Sequence, residues 1–189
     1  MKENFEKSLL FVLKDEGKFS DVKNDRGGPT NQGVTLKTLQ QYYKETGWGD
    51  LDQDGDVDID DIRLLDEPKE AAPIYKKYFW EKVKGDSLPS GVDYIVFDSA
   101  VNHGPKNAGV FLQRASNQQG GSLVTDGVIG PQTLSIVQKE NLSQLILDLV
   151  KERDSFYRKI VANDSKQQKF FNGWMNRLTH VLVNARGFV

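Results

Sequence analysis

Residues 16–33 read EGKFSDVKNDRGGPTNQG, an acid followed by a glycine and then by a long run of turn-forming residues. In the segment ahead of it Phe5, Leu9 and Leu13 recur at four-residue steps, and Glu16 lies three residues further on. This spacing puts all four on one face of a helix. A carboxyl at the end of a core-facing stripe is costly to ionise, because desolvation and the negative end of the helix dipole both raise its pKa. A group still protonated near neutral pH is suited to general acid catalysis. Gly17 fits the left-handed position that ends such a helix. Beyond it, Asp21, Asn24, Asp25, Gly27, Gly28, Pro29, Thr30, Asn31 and Gly33 dictate a turn or small hairpin. A loop that doubles back sets Asp25 and Thr30 across a cleft from Glu16. An acid, a second carboxylate and a hydroxyl are the groups that cleave a glycosidic bond. Spacing alone also admits a solvated Glu at a helix end beside an ordinary turn.

The stretch resembles the signature of glycoside hydrolase family 108, lysozymes of phage type. Glu16, Gly17, Asp25, Gly27, Gly28, Thr30 and Gly33 stand at the matching places, and Lys18 replaces the second glycine of the opening motif. The resemblance implies a mainly α, lysozyme-like domain in two lobes with a glycine-rich catalytic loop or hairpin. It implies Glu16, Asp25 and Thr30 as catalytic residues and bacterial peptidoglycan as substrate.

Residues 50–61, DLDQDGDVDIDD, place acids at positions 1, 3, 5, 7, 9, 11 and 12 of a twelve-residue loop, with Gly55 at 6 and Val57 at 8. This is the EF-hand pattern, in which oxygen ligands hold Ca²⁺ and the glycine permits a sharp turn. The expected ligands are Asp50, Asp52, Asp54, Asp56 (through its carbonyl) and Asp61. Asp61 is one methylene shorter than the usual Glu, which makes the loop look more like those of dockerins. Seven like charges in twelve residues otherwise repel as a solvated acidic loop. A structural Ca²⁺ is therefore expected, in an insertion to the lysozyme-like fold.

Leu88-Pro89-Ser90-Gly91 is a break and marks the expected lobe boundary, with a catalytic lobe over 1–90 and a helical lobe over 91–189. Val92, Ile95, Val96, Ser99 and Ala100 predict a buried helix closed by Asn102-His103-Gly104-Pro105. That helix resembles the one backing the family's cleft, and Asn102 is a candidate substrate contact. His103 reads as a helix-end residue. Residues 125–133, TDGVIGPQT, resemble a turn of peptidoglycan-binding segments and also read simply as a turn with Pro131 opening a helix. A long apolar stripe from Leu142 to Ile160 follows. The closing FFNGWMNRLTHVLVNA resembles the family's Phe-x-x-Gly-Trp-x-x-Arg helix, with Trp174, Leu178, Val181 and Leu182 expected in the core.

At 189 residues, 38% hydrophobic and 28% charged, the chain has the composition of a globular protein with one substantial domain. Cysteine is absent, which excludes disulfides and thiolate metal sites. The N-terminus does not read as a signal peptide and no stretch is long enough to span a bilayer, so synthesis in a host cytoplasm is expected. The resemblance implies release to the wall through a separate membrane-permeabilising protein. Setting aside the seven acids of 50–61, the rest carries 20 acids and 25 bases, a net of +5 that suits an anionic wall polymer. No nucleic-acid partner and no stable membrane insertion are expected, and the chain is expected to act as a monomer. The expected function is an endolysin that hydrolyses the β-1,4 bond between N-acetylmuramic acid and N-acetylglucosamine. The alternatives are a non-catalytic peptidoglycan-binding module, a dockerin-like interaction protein and an enzyme of this layout acting on chitin.

Overall fold

A computed structural model describes residues 4–15, 29–65 and 67–189. Among the described residues there are nine α-helices and one two-stranded hairpin, so the fold is mainly α as the sequence predicts. By contacts the chain divides into two units, residues 9–78 and residues 1–8 with 79–189. The Leu88–Gly91 break, where the sequence places the lobe boundary, lies within the second of these.

Helix α1 (Asn4–Asp15) is followed, after the undescribed stretch, by β1 (Thr30–Asn31) and β2 (Val34–Thr35). The strands pair antiparallel, Thr30 with Thr35 and Asn31 with Val34. Gln32 and Gly33 form the two-residue turn, both with positive φ (48° and 73°). That is the backbone a tight hairpin of right-handed twist demands, and glycine supplies it without strain. Thr35 then caps α2 (Leu36–Thr46), its hydroxyl accepting from Thr38 N at 3.1 Å, and Gly47 ends the helix in the left-handed region. Leu39 and Tyr42 are the buried face of α2.

The acidic loop leads into α3 (Ile59–Leu64), whose N-terminus is closed by a capping box between Asp58 and Asp61. Helix α4 (Pro68–Tyr75) starts with Pro at its first position and contains Pro73, and a π-turn over Lys76–Trp80 follows.

In the second unit α5 (Val92–His103) is the axis. Every residue from Val92 to Ala100 is buried, Asp93 and Asp98 included, and α6 (Pro105–Gln118), α8 (Leu142–Asn163) and α9 (Gln168–Arg186) pack around it. Phe5 and Phe97 meet Trp80 edge-on, each with centroids 5.4 Å away. The short α7 (Pro131–Val137) opens on Pro131 as predicted. In α9 Leu178 and Val181 are core, whereas Trp174 and Leu182 are only partly covered.

Candidate active site and acidic loop

Of the three catalytic candidates, Glu16 and Asp25 lie outside the described residues. Thr30 opens β1 and is half-buried. The hairpin that carries it is clipped in place by side-chain amides. Buried Asn31 donates through Nδ2 to Ile62 O at 3.1 Å and to Arg63 O at 3.4 Å. Gln32 donates through Nε2 to Leu65 O at 2.8 Å, and the Tyr75 hydroxyl donates to Gln32 O at 2.8 Å. The acceptors are carbonyls of the last turn of α3 and of its C-cap Leu65, where a helix leaves acceptors short of intrahelical partners. One small hairpin therefore answers the hydrogen-bonding needs of α3 while fixing the place of Thr30.

The acidic loop is folded on its own backbone. Gly55 N donates to Asp50 Oδ2 (3.1 Å), Asp54 N to Asp52 Oδ1 (3.2 Å) and Asp56 N to Asp54 Oδ1 (3.1 Å). Val57 is buried as its position requires, and its carbonyl accepts from Gln40 Nε2 at 2.8 Å. The carboxylates gather in two groups, Asp50 with Asp52 and Asp54, and Asp56 with Asp58 and Asp61, each with ligand oxygens within 4.8 Å of one another. Crowding shows in their electrostatics. Burial first and then the neighbouring acids raise the Asp52 carboxyl, while the charge of Asp54 is the main cause of the rise at Asp56.

The donor set fits a hard cation at the first group. Oδ1 of Asp50 is enclosed and has no hydrogen-bond partner, as an oxygen reserved for a metal would be. Asp61 is placed differently. It is 1% exposed; Oδ2 accepts from Asp58 N at 2.9 Å, and Oδ1 accepts from Leu51 N and Asp52 N. Its short carboxylate ties the two ends of the loop together.

Asn102 stands exposed in the last turn of α5, its Nδ2 donating to Asp98 O at 2.8 Å. His103, the last residue of α5, is packed edge-on against Phe111, Phe156 and Tyr157. The 125–130 turn is pinned to α6 by one side chain. Gln113 accepts from Gly127 N and donates to Asp126 Oδ1 (2.8 and 2.9 Å). A Cβ at Gly127 would run into the Lys106 carbonyl at 2.4 Å, so the turn must come this close to the helix.

Sequence reasoning missed a buried ionic cluster. Asp98 and Arg153 are both fully buried, with Arg153 Nη1 donating to Asp98 Oδ1 at 2.7 Å and Arg177 Nη2 to Oδ2 at 2.9 Å. Arg153 Nη2 also donates to the Tyr157 hydroxyl (3.2 Å), which lies 3.0 Å from His103 Nε2. The signal was present: Arg153 follows Leu149 by four residues, inside the apolar stripe of α8.

The profile of the glycosyl hydrolase 108 family matches residues 9–104, from α1 to the end of α5. The chain belongs to this family, and it is a glycoside hydrolase acting on peptidoglycan, of N-acetylmuramidase type. A profile described as a predicted peptidoglycan domain matches residues 107–179. Among solved structures the chain is similar to SagA of Brucella abortus, at 32% identity and a TM-score of 0.75, covering 100% of this chain and 97% of that one. Comparison with curated proteins finds no match.

Proposed function

We propose that the chain is an endolysin of phage type, which cleaves the β-1,4 bond between N-acetylmuramic acid and N-acetylglucosamine and so lyses the host cell. The observation that carries this reading is the family match over a segment that contains Glu16, Asp25 and Thr30 at the motif positions. Glu16 donates its proton to the leaving glycosidic oxygen. Asp25 holds water or stabilises the positive charge that develops on the sugar, and the Thr30 hydroxyl assists from the hairpin. Water adds to the anomeric carbon and gives up a proton to a carboxylate of the pair, completing hydrolysis. Asn102 contacts substrate from the end of α5. The chain is made in the host cytoplasm and reaches the wall after a separate protein permeabilises the membrane. Among the described residues no helix is long and apolar enough to cross a membrane.

Mass spectrometry of fragments released from purified peptidoglycan tests the reading. Fragments with muramic acid at the reducing end are expected. Products ending in N-acetylglucosamine, or cut only in the peptide, would reject it.

A second element of the reading is that Ca²⁺ staples the acidic loop and takes no part in the chemistry. Asp50, Asp52 and Asp54 supply carboxylate oxygens and Asp56 its carbonyl, while Asp61 closes the loop. Oxygen-only donors favour a hard cation. At free Ca²⁺ of 100 times its dissociation constant the folded state gains about 2.7 kcal/mol. Chelation should lower Tm by roughly 5–10 °C, and Asp50→Ala with Asp52→Ala should mimic it. An enzyme that keeps its Tm on chelation yet loses all activity would instead put the metal in the reaction.

A further inference from the structure

Gly173 stands in the interior of α9, exposed, and a Cβ added there would meet nothing within 4 Å. Glycine weakens a helix interior relative to alanine because it gives up more backbone freedom on folding. Among the described residues nothing asks for it: the site is neither a cap nor a close contact between elements. Glycine also serves where something from outside lies against the backbone.

The residues around it are of a kind that meets a ligand. Phe170, Gly173 and Trp174 fall within about 100° of one helix face, and Arg177, one turn on, is tied to Asp98. Phe170 is 47% exposed and stacks on half-buried Trp174, with centroids 6.1 Å apart and planes 28° from parallel. Trp174 in turn stacks on buried Tyr157 at 5.2 Å and 21°. Three near-parallel rings thus run from core to solvent, and the innermost is held by Arg153. The outer rings are fixed before any ligand arrives, so little side-chain entropy remains to be lost. Lys159, Lys166 and Lys169 are exposed in the flanking sequence, and Asp164 is the single acid between residues 158 and 177. Lys169 Nζ sits 4.8 Å from the Phe170 ring centre.

We propose that this face of α9 is a platform for the glycan strand of peptidoglycan, apart from the catalytic residues. The apolar C–H face of a sugar lies on Phe170 and Trp174, the strand crosses the helix over Gly173, and the lysines meet carboxylates of the lactyl groups and stem peptides. The charge favours this occupant, because three lysines against one acid suit a polymer that carries carboxylates along its length. The proposal rests on the reading of the chain as a peptidoglycan hydrolase and adds where the polymer is held.

The test is co-sedimentation of the full-length protein with purified insoluble sacculi on ice, alongside melting curves, gel filtration and turnover of a short soluble glycan fragment. Phe170→Ala should weaken sacculus binding about 3- to 10-fold, the worth of one aromatic stacking contact, with turnover of the short fragment kept. Gly173→Ala should raise Tm by about 2–4 °C and still weaken binding. A gain in stability with a loss of affinity is an outcome that a purely structural role does not produce. Unchanged binding by both variants overturns the platform and leaves the hydrolase reading standing. So does a dimer that Phe170→Ala dissociates. A wild-type chain that neither sediments with sacculi nor releases muropeptides from them overturns both.

Discussion

If Glu16 is the general acid as proposed, Glu16→Gln should lower clearance of purified cell wall by roughly 10²-fold or more. Glutamine keeps the shape and hydrogen-bonding reach of the side chain but has no proton to give to the leaving oxygen, and an unprotonated sugar alkoxide is a poor leaving group. Because the lost interaction belongs to the transition state, kcat falls while KM changes little. The fold should be kept, since Gln matches Glu in size and shape. A turbidity assay and a melting curve on the same preparation check both halves. Near wild-type clearance by the Gln variant would remove Glu16 from the mechanism.

The largest effect on stability is expected at Asp98. Burial by itself would raise its carboxyl pKa, but the guanidiniums of Arg153 and Arg177 overcome that and hold it below its ordinary value. Truncation to Ala leaves the guanidinium of fully buried Arg153 without its counter-charge, a change that costs about 3–5 kcal/mol. Marginal stabilities of about 5–15 kcal/mol make that a large share of the whole, so urea unfolding of Asp98→Ala should shift to much lower midpoints. The same cluster sets an acid response. Burial first, and then the charge of Arg153, lower His103 from 6.5 to about 4. Between these values the unfolded chain binds the proton and the folded one does not. Stability is therefore complete above about pH 6.5 and falls as pH drops towards 4. The loss is up to about 3 kcal/mol, less the share that solvent screens at this partly exposed ring. His103→Gln, which does not titrate, should flatten the melting profile across that window. A variant with the wild-type slope would place the titration elsewhere. At lower pH, protonation of Asp98 removes its contribution in turn, as that carboxyl must be charged to pair.

The helical architecture was legible because its determinants are local. The buried run Val92–Ala100 needs no partner to be recognised, and Pro131 opens its helix wherever it is placed. The turn chemistry of Gln32-Gly33 was likewise visible as a hairpin or turn. What sequence could not supply is pairing over distance. Asp98 and Arg153 are 55 residues apart, and neither segment alone says that the two charges share one interior. Trp174 was read as core from its spacing, yet it is only partly covered. Periodicity identifies the apolar face of a helix but not how far along that face the protein continues. Asp61 shows the same limit within the acidic loop. Position twelve pointed to a cation ligand, and the spacing said nothing of the loop's own N–H groups that both of its oxygens accept from.

The clip between the hairpin and α3 bears on how the chain folds. A helix of six residues has almost no stability of its own, since nucleation costs more than so few hydrogen bonds return. Helix α3 is anchored at one end by the closure of the acidic loop and at the other by amides from Asn31 and Gln32. Neither anchor works without the helix between them. Loop, helix and hairpin must then form and open together as one cooperative unit. Their amides should exchange with solvent at a common rate, although 20 residues of sequence separate Thr30 from Asp50.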